Sequence, residues 1–262
     1  MKFPGFFNLL IYGLGLMIFS CSKKDSSPAL PATNNLIYGD SIFYIRNQST
    51  DYLVSPVQSK GGTYRAFPEG LNIDNATGTI NVSKSETGMR YKVSFISATG
   101  DTTVNYVVIS GINFPDKYYK LAAGDSVAFP VYNANSALRL PPSSFDEDKV
   151  ATNSGCAIKT NNGQINLTES IRNGLFGATP QNNTKKGFNV KYRLDDQSGK
   201  ALNSINILIY YFNTMSDVTP DLLQTVIDHQ IMTLQPNNTS VATGTIQAAS
   251  KPRPPCIVVI GH

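Results

Sequence analysis

The feature that most restricts the fold of this chain is a self-match. At a constant offset of 85 residues, Gly70, Ile73, Gly78, Ile80 and Asn81 match Gly155, Ile158, Gly163, Ile165 and Asn166. Upstream in the same register, Gly39-Asp40-Ser41-Ile42 matches Gly124-Asp125-Ser126-Val127, and Leu53 and Pro56 match Leu138 and Pro141. A chain that keeps one register over such a length is expected to build one supersecondary unit twice. An insertion at residues 173–185 follows in the second copy, after which Tyr91, Val93 and Phe95 correspond to Phe188, Val190 and Tyr192. These triplets alternate with period two, as do Val104, Tyr106 and Val108, so each marks a strand with one buried face. The turn-forming runs Ala98-Thr99-Gly100-Asp101 and 195–200 separate paired strands as hairpin connections do. Thirteen Tyr, thirteen Phe, 20 Gly and 15 Pro favour short strands joined by turns. The expected class is all-β: two tandem sandwiches at residues 35–114 and 115–262, with one short helix near the C-terminus. Thr219 and Pro220 open that helix, and Leu222, Leu223, Val226 and Ile227 form its apolar stripe. The apolar run at residues 256–260 reads as a terminal strand that adds to an open sheet edge.

Three segments carry a family resemblance. They are Phe67-Pro68-Glu69-Gly70-Leu71-Asn72-Ile73-Asp74, Ala76-Thr77-Gly78-Thr79-Ile80 and Gly88-Met89-Arg90-Tyr91-Lys92-Val93. Together they resemble the immunoglobulin-like, cadherin-like domains of bacterial surface proteins, over roughly residues 35–114. In the second copy Lys159 stands where Asp74 does and the Pro-x-Gly-Leu element is lost. The resemblance implies a turn-rich sandwich and names no ligand. Gly78 and Gly163 are expected to supply positive φ in a tight turn.

The N-terminus reads as an address. Lys2 precedes an apolar stretch over residues 6–19, shorter than the roughly 20 residues that span a bilayer. Ile18, Phe19, Ser20 and Cys21 then resemble a bacterial lipobox. That resemblance implies a signal peptide at residues 1–20, removed before Cys21, with diacylglycerol on the cysteine and an acylated new amino terminus. Ser22-Lys23-Lys24-Asp25 looks like the export signal of surface lipoproteins in Bacteroidetes, and residues 21–34 read as a polar spacer. The implied address is the outer membrane, facing the cell exterior, with the lipid as membrane partner and no transmembrane helix in the processed chain.

Chemistry is sparse. A net charge of +4 with scattered Lys and Arg lacks the basic patch of a nucleic-acid binder. Gly-Asp-Ser followed by an aliphatic residue, at Ser41 and Ser126, looks like a serine-esterase nucleophile motif. Those enzymes need an Asp-x-x-His, and neither His229 nor His262 has an Asp three positions earlier. No enzyme, metal or cofactor is expected beyond the covalent lipid. Asp146-Glu147-Asp148 and Asp195-Asp196 could lend oxygens to calcium, but such a site needs six to eight oxygens converging from a shaped loop, and the junction between the copies offers Asp116 alone. Cys156 and Cys256 are either a disulfide pair or, as the match of Cys156 to the core position of Leu71 favours, buried free thiols. Two functions agree with these residues. One is a non-enzymatic, anchored spacer, adhesion or assembly module that meets other surface proteins. The other is a glycan-binding accessory lipoprotein of a polysaccharide-uptake system, in which exposed Tyr118, Tyr119, Tyr210 and Tyr211 stack on sugars.

Overall fold

The computed structural model describes residues 38–58, 61–233 and 254–261, all within one compact unit, Asn35–His262. Cys21 and the segments expected to be a signal peptide and a spacer lie outside the described residues. Among the described residues strand outweighs helix, in several sheets.

In the first half, β1 (Ile42–Phe43), β2 (Leu53–Val54), β3 (Gly62–Phe67), β4 (Ile80–Asn81), β5 (Met89–Ser97), β6 (Thr102–Ile109) and β7 (Ile112–Asn113) follow in order. The principal sheet runs β1-β6-β5-β3, with β1 parallel to β6 and the other pairs antiparallel. On β5 the expected alternation is present: Met89, Tyr91, Val93 and Phe95 are buried and the residues between them are less so. On β6 the faces are the reverse of those expected, with Val104 and Tyr106 exposed and Val107 and Ile109 buried. The buried β5 residues pack with Tyr38, Phe43, Tyr64, Ile80 and Val107 into one core. The smaller β2-β4 pair supplies Ile80, and the 98–101 turn closes with Ser97 N–H donating to Asp101 O at 2.9 Å.

The second half comprises β8 (Lys117–Lys120), β9 (Val127–Ala128), β10 (Val131–Tyr132), β11 (Ser143–Phe145), α1 (Val150–Asn153), β12 (Ala157–Ile158), β13 (Ile165–Asn166), α2 (Leu167–Arg172), β14 (Thr184–Leu194), β15 (Asn203–Phe212), α3 (Pro220–Thr233) and β16 (Cys256–Ile260). Its principal sheet is β11-β14-β15-β16-β8, and β12-β13-β9 is the smaller one. Phe188, Val190, Tyr192 and Leu194 point into a second core with Ile207, Ile209 and Tyr211. The two halves meet through the antiparallel β7–β10 pair.

Between residues 70–85 and 155–170 the 85-residue register is written in hydrogen bonds. Gly78 and Gly163 have φ of 73° and 68°, and their N–H groups donate to Asp74 O and Lys159 O, both at 2.8 Å. Asn81 and Asn166 each cap the following turn, accepting from Lys84 N–H and Glu169 N–H. Ser85 and Ser170 each donate to the cap carbonyl at 2.7 Å and accept from Asn72 N–H and Ala157 N–H at 2.9 Å. Beneath the two glycines lie Tyr64 and Phe145, whose partners across the sheet are Phe95 and Tyr192.

The upstream matches do not hold. Val127 pairs with Asn166 and therefore occupies the place of Leu53, which pairs with Asn81, whereas Ile42 pairs with Val108 in the principal sheet. Leu138 and Pro141 sit in the loop between β10 and β11. Gly-Asp-Ser-aliphatic is a generic turn-to-strand sequence, so it recurs at two unrelated strand starts.

β16 also departs from expectation. It does not extend an edge but lies inside the sheet, parallel to β15 on one side and β8 on the other. Both its faces are covered, Ile257 and Val259 by the main core and Cys256, Val258 and Ile260 by α3, and its five residues are all buried. A continuous apolar run is what such a strand requires. α3 begins at Pro220 as expected and packs Leu222 and Val226 on this outer face, but Ile227 is exposed, so the stripe is narrower than the sequence suggests. No helix among the described residues is long and apolar enough to cross a membrane.

Candidate functional site

The polar feature buried most deeply against α3 gathers at the end of the sheet where β8 and β16 begin side by side. Asp116, immediately before β8, is 2% exposed. Its Oδ1 accepts the Cys256 N–H at 2.7 Å and lies 2.8 Å from His229 Nδ1. Its carbonyl accepts from Gln230 Nε2 at 2.7 Å. His229 sits in the third turn of α3, three residues after Val226 and seven after Leu222, so it prolongs the buried stripe. Cys256 opens β16, and its thiol reaches the Pro254 carbonyl at 3.6 Å. One donor atom from each of Asp116, His229 and Cys256 falls within 4.8 Å of the other two.

Carboxylate, imidazole and thiol are the components of a cysteine-nucleophile triad or of a metal site. The first needs a sulfur open to substrate, and Cys256 is 1% exposed at the root of a central strand. A crevice lined by Ile45, Gly111, Tyr192 and Asp196 lies elsewhere, at the contact between the halves, and has room for about one water molecule.

The residues singled out from sequence are dispersed. Tyr118 and Tyr210 flank Val258 and rest half-buried in the cluster under α3, while Tyr119 and Tyr211 flank Val259 and face the main core at 2% and 7% exposure. Neighbouring residues of a strand point to opposite faces, so the four rings cannot form one exposed platform. Burial raises the hydroxyl pKa of Tyr118 and Tyr119. Cys156 and Cys256 are both buried, in different apolar clusters, and do not form a disulfide with each other. Cys21 lies outside the described residues. The acidic runs serve local structure: Asp146 accepts from Ala151 N–H, Thr152 N–H and the Thr152 hydroxyl, Glu147 pairs with Arg193, and Asp148 pairs with Lys191, which lowers its pKa. Asp196 accepts from Ser110, Tyr132 and Ser198.

Sequence reasoning missed the Asp116–His229–Cys256 cluster because its members stand 113 and 140 positions apart. The signal within reach was His229 on the apolar stripe of α3. No family model matches the chain, and no curated protein matches it.

Proposed function

We propose that this chain is a lipoprotein anchored through Cys21 and displayed on the outer face of the outer membrane. There two immunoglobulin-like sandwiches, related by duplication, act as a non-enzymatic spacer, adhesion or assembly module. The observation that carries this reading is the bonded contact between the halves. The Tyr192 hydroxyl of the second half meets Thr87 Oγ1 at 3.2 Å and the Ile112 N–H at 3.2 Å, and accepts from Asn203 Nδ2 at 2.7 Å. Asn133 and Gly111 exchange two further bonds, and Ser110 donates to Asp196. A module that holds something at a fixed distance needs such a junction, because a flexible link would let the second half swing. The shared hydrogen bonds at residues 70–85 and 155–170 support the duplication. Glycan capture, the other reading, has less behind it, since Tyr119 and Tyr211 present no open ring face.

Three measurements on bacterial cells test the proposal. An alkyne fatty acid should label the wild-type chain and leave Cys21→Ala unlabelled. Protease added to intact cells should degrade it. Cross-linking on those cells should recover surface proteins, with a glycan array and a hydrolase panel both blank. An unlabelled wild type removes the anchor, and turnover of any panel substrate removes the non-enzymatic reading.

A further inference from the structure

The cluster of Asp116, His229 and Cys256 joins three elements distant in sequence: the start of β8, the third turn of α3 and the first residue of β16. We propose that it binds one zinc-class divalent ion through the Asp116 carboxylate, the His229 imidazole and the Cys256 thiolate, fastening α3 and the inserted strand to the sheet. This inference is independent of the anchoring proposal.

The donor set selects the metal class. Imidazole and thiolate suit zinc and its neighbours, whereas calcium and magnesium take oxygen ligands. Charge agrees too. A carboxylate and a thiolate together neutralise a 2+ ion, so the loaded site carries no net charge into a region where Asp116 and Cys256 are 2% and 1% exposed. Zinc bonds of about 2.0–2.3 Å place ligand atoms of a tetrahedral ion about 3.3–3.8 Å apart. The present spacing within 4.8 Å contracts to this with small side-chain movements, while the 2.8 Å Asp116–His229 contact opens by about half an ångström. The support around the ligands is in place: the Cys256 N–H holds Asp116 Oδ1, and Gln230 holds the Asp116 carbonyl. The His229 side chain, 12% exposed, marks the side from which water completes the fourth position.

A plain hydrogen-bonded pair accounts for Asp116 and His229 as a fastening of helix to sheet. Beside that pair the Cys256 thiol, which also donates to the Pro254 carbonyl at 3.6 Å, lies within reach of both donor atoms at the one polar position of an otherwise aliphatic strand, Cys-Ile-Val-Val-Ile. A metal gives all three side chains one task.

The test uses the full chain carrying Cys21→Ser and Cys156→Ala, so that Cys256 is its sole thiol. Cobalt(II) should bind one to one with a thiolate-to-metal charge-transfer band and the intense visible bands of a tetrahedral ion, and zinc should displace it. X-ray absorption of the zinc form should show one sulfur at about 2.3 Å. Asp116→Asn, His229→Gln and Cys256→Ser should each weaken zinc binding at least tenfold, and zinc should raise the unfolding temperature of the parent by several degrees relative to chelator-treated protein. Where a variant does not fold, the cobalt and absorption spectra of the parent decide alone. A cobalt spectrum without the thiolate band, or zinc held equally well by a folded Cys256→Ser, overturns the proposal and leaves a buried hydrogen-bonded pair.

Discussion

Tyr64 and Phe145 do the same job beneath equivalent turns, and the difference between them is one hydroxyl. The Tyr64 hydroxyl is buried without a hydrogen-bond partner among the described residues, while Phe145 has nothing to satisfy. Leaving a buried donor unpaired costs about 1–3 kcal/mol. Tyr64→Phe is therefore expected to stabilise the protein by about 1 kcal/mol, read as a rise in the urea midpoint at constant m value. A fall of that size would show that the hydroxyl is bonded. The glycines above these rings allow no such change. A Cβ on Gly78 would stand 2.5 Å from the Tyr64 ring and one on Gly163 2.6 Å from the Phe145 ring, both at positive φ. Left-handed backbone and overpacking each cost about 1–3 kcal/mol, so Gly78→Ala and Gly163→Ala should each lose at least about 2 kcal/mol in the same titration. Both glycines were legible in the sequence; the rings beneath them were not, because a four-residue shift separates Tyr64 and Phe145 from the 85-residue register. Cys156 was legible as a core position through Leu71. Burial pushes its thiol up to about 12, against a thiolate-favouring hydrogen bond from Ser170. In the folded chain at pH 8 it should resist iodoacetamide for hours and be alkylated within minutes in urea, as peptide mass mapping would report.

At the scale of elements, the two serine-bridged turns are the clearest shared device. Ser85 and Ser170 each join a cap carbonyl to an N–H from a neighbouring segment, so truncation strands a donor as well as losing a bond. Ser170, fully buried, should lose about 1–3 kcal/mol on replacement by Ala. If Ser170→Ala left the urea midpoint unchanged, the bridge would contribute nothing. Strands joined by hairpins could be read from sequence because alternation and a turn signal reinforce each other, as in β5–β6 and β14–β15. β16 could not be placed in the same way. A parallel strand arrives over a long connection with no turn to fix its neighbour, and an all-apolar run has no period to report which face is buried. Its composition did hold the answer in coarse form, since only a strand covered on both sides accommodates Cys-Ile-Val-Val-Ile. The metal-ligating cluster depends on that placement. Cys256 meets Asp116 because β16 inserts beside β8, a fact with no local trace in either segment.

Across the whole described unit, stability is tied to the junction through Tyr192. Its hydroxyl serves the Ile112 N–H and the Asn203 amide at once, and burial pushes its pKa up to about 12. Tyr192→Phe strands the Ile112 N–H, leaves the Asn203 amide only its bond to Thr87 Oγ1, and should cost about 1–3 kcal/mol. Alkaline pH tests the same contact without mutation. A tyrosine whose folded pKa exceeds its unfolded value near 10 contributes stability that is fully present below pH 10. As pH rises from 10 toward 12 the unfolded chain gives up its proton first, and the contribution is lost. Tyr38, Tyr91, Tyr119 and Tyr132 are raised further, chiefly by burial, so they add to the decline in the same direction. Wild-type stability should therefore fall steeply between pH 10 and 12. In Tyr192→Phe the slope should be shallower by about one proton, or roughly 1.4 kcal/mol per pH unit. Urea titrations of the two proteins across this range measure the difference. Equal slopes would mean that the Tyr192 hydroxyl ionises alike in the folded and unfolded chain, and the bonded junction would then lose its part in holding the halves together.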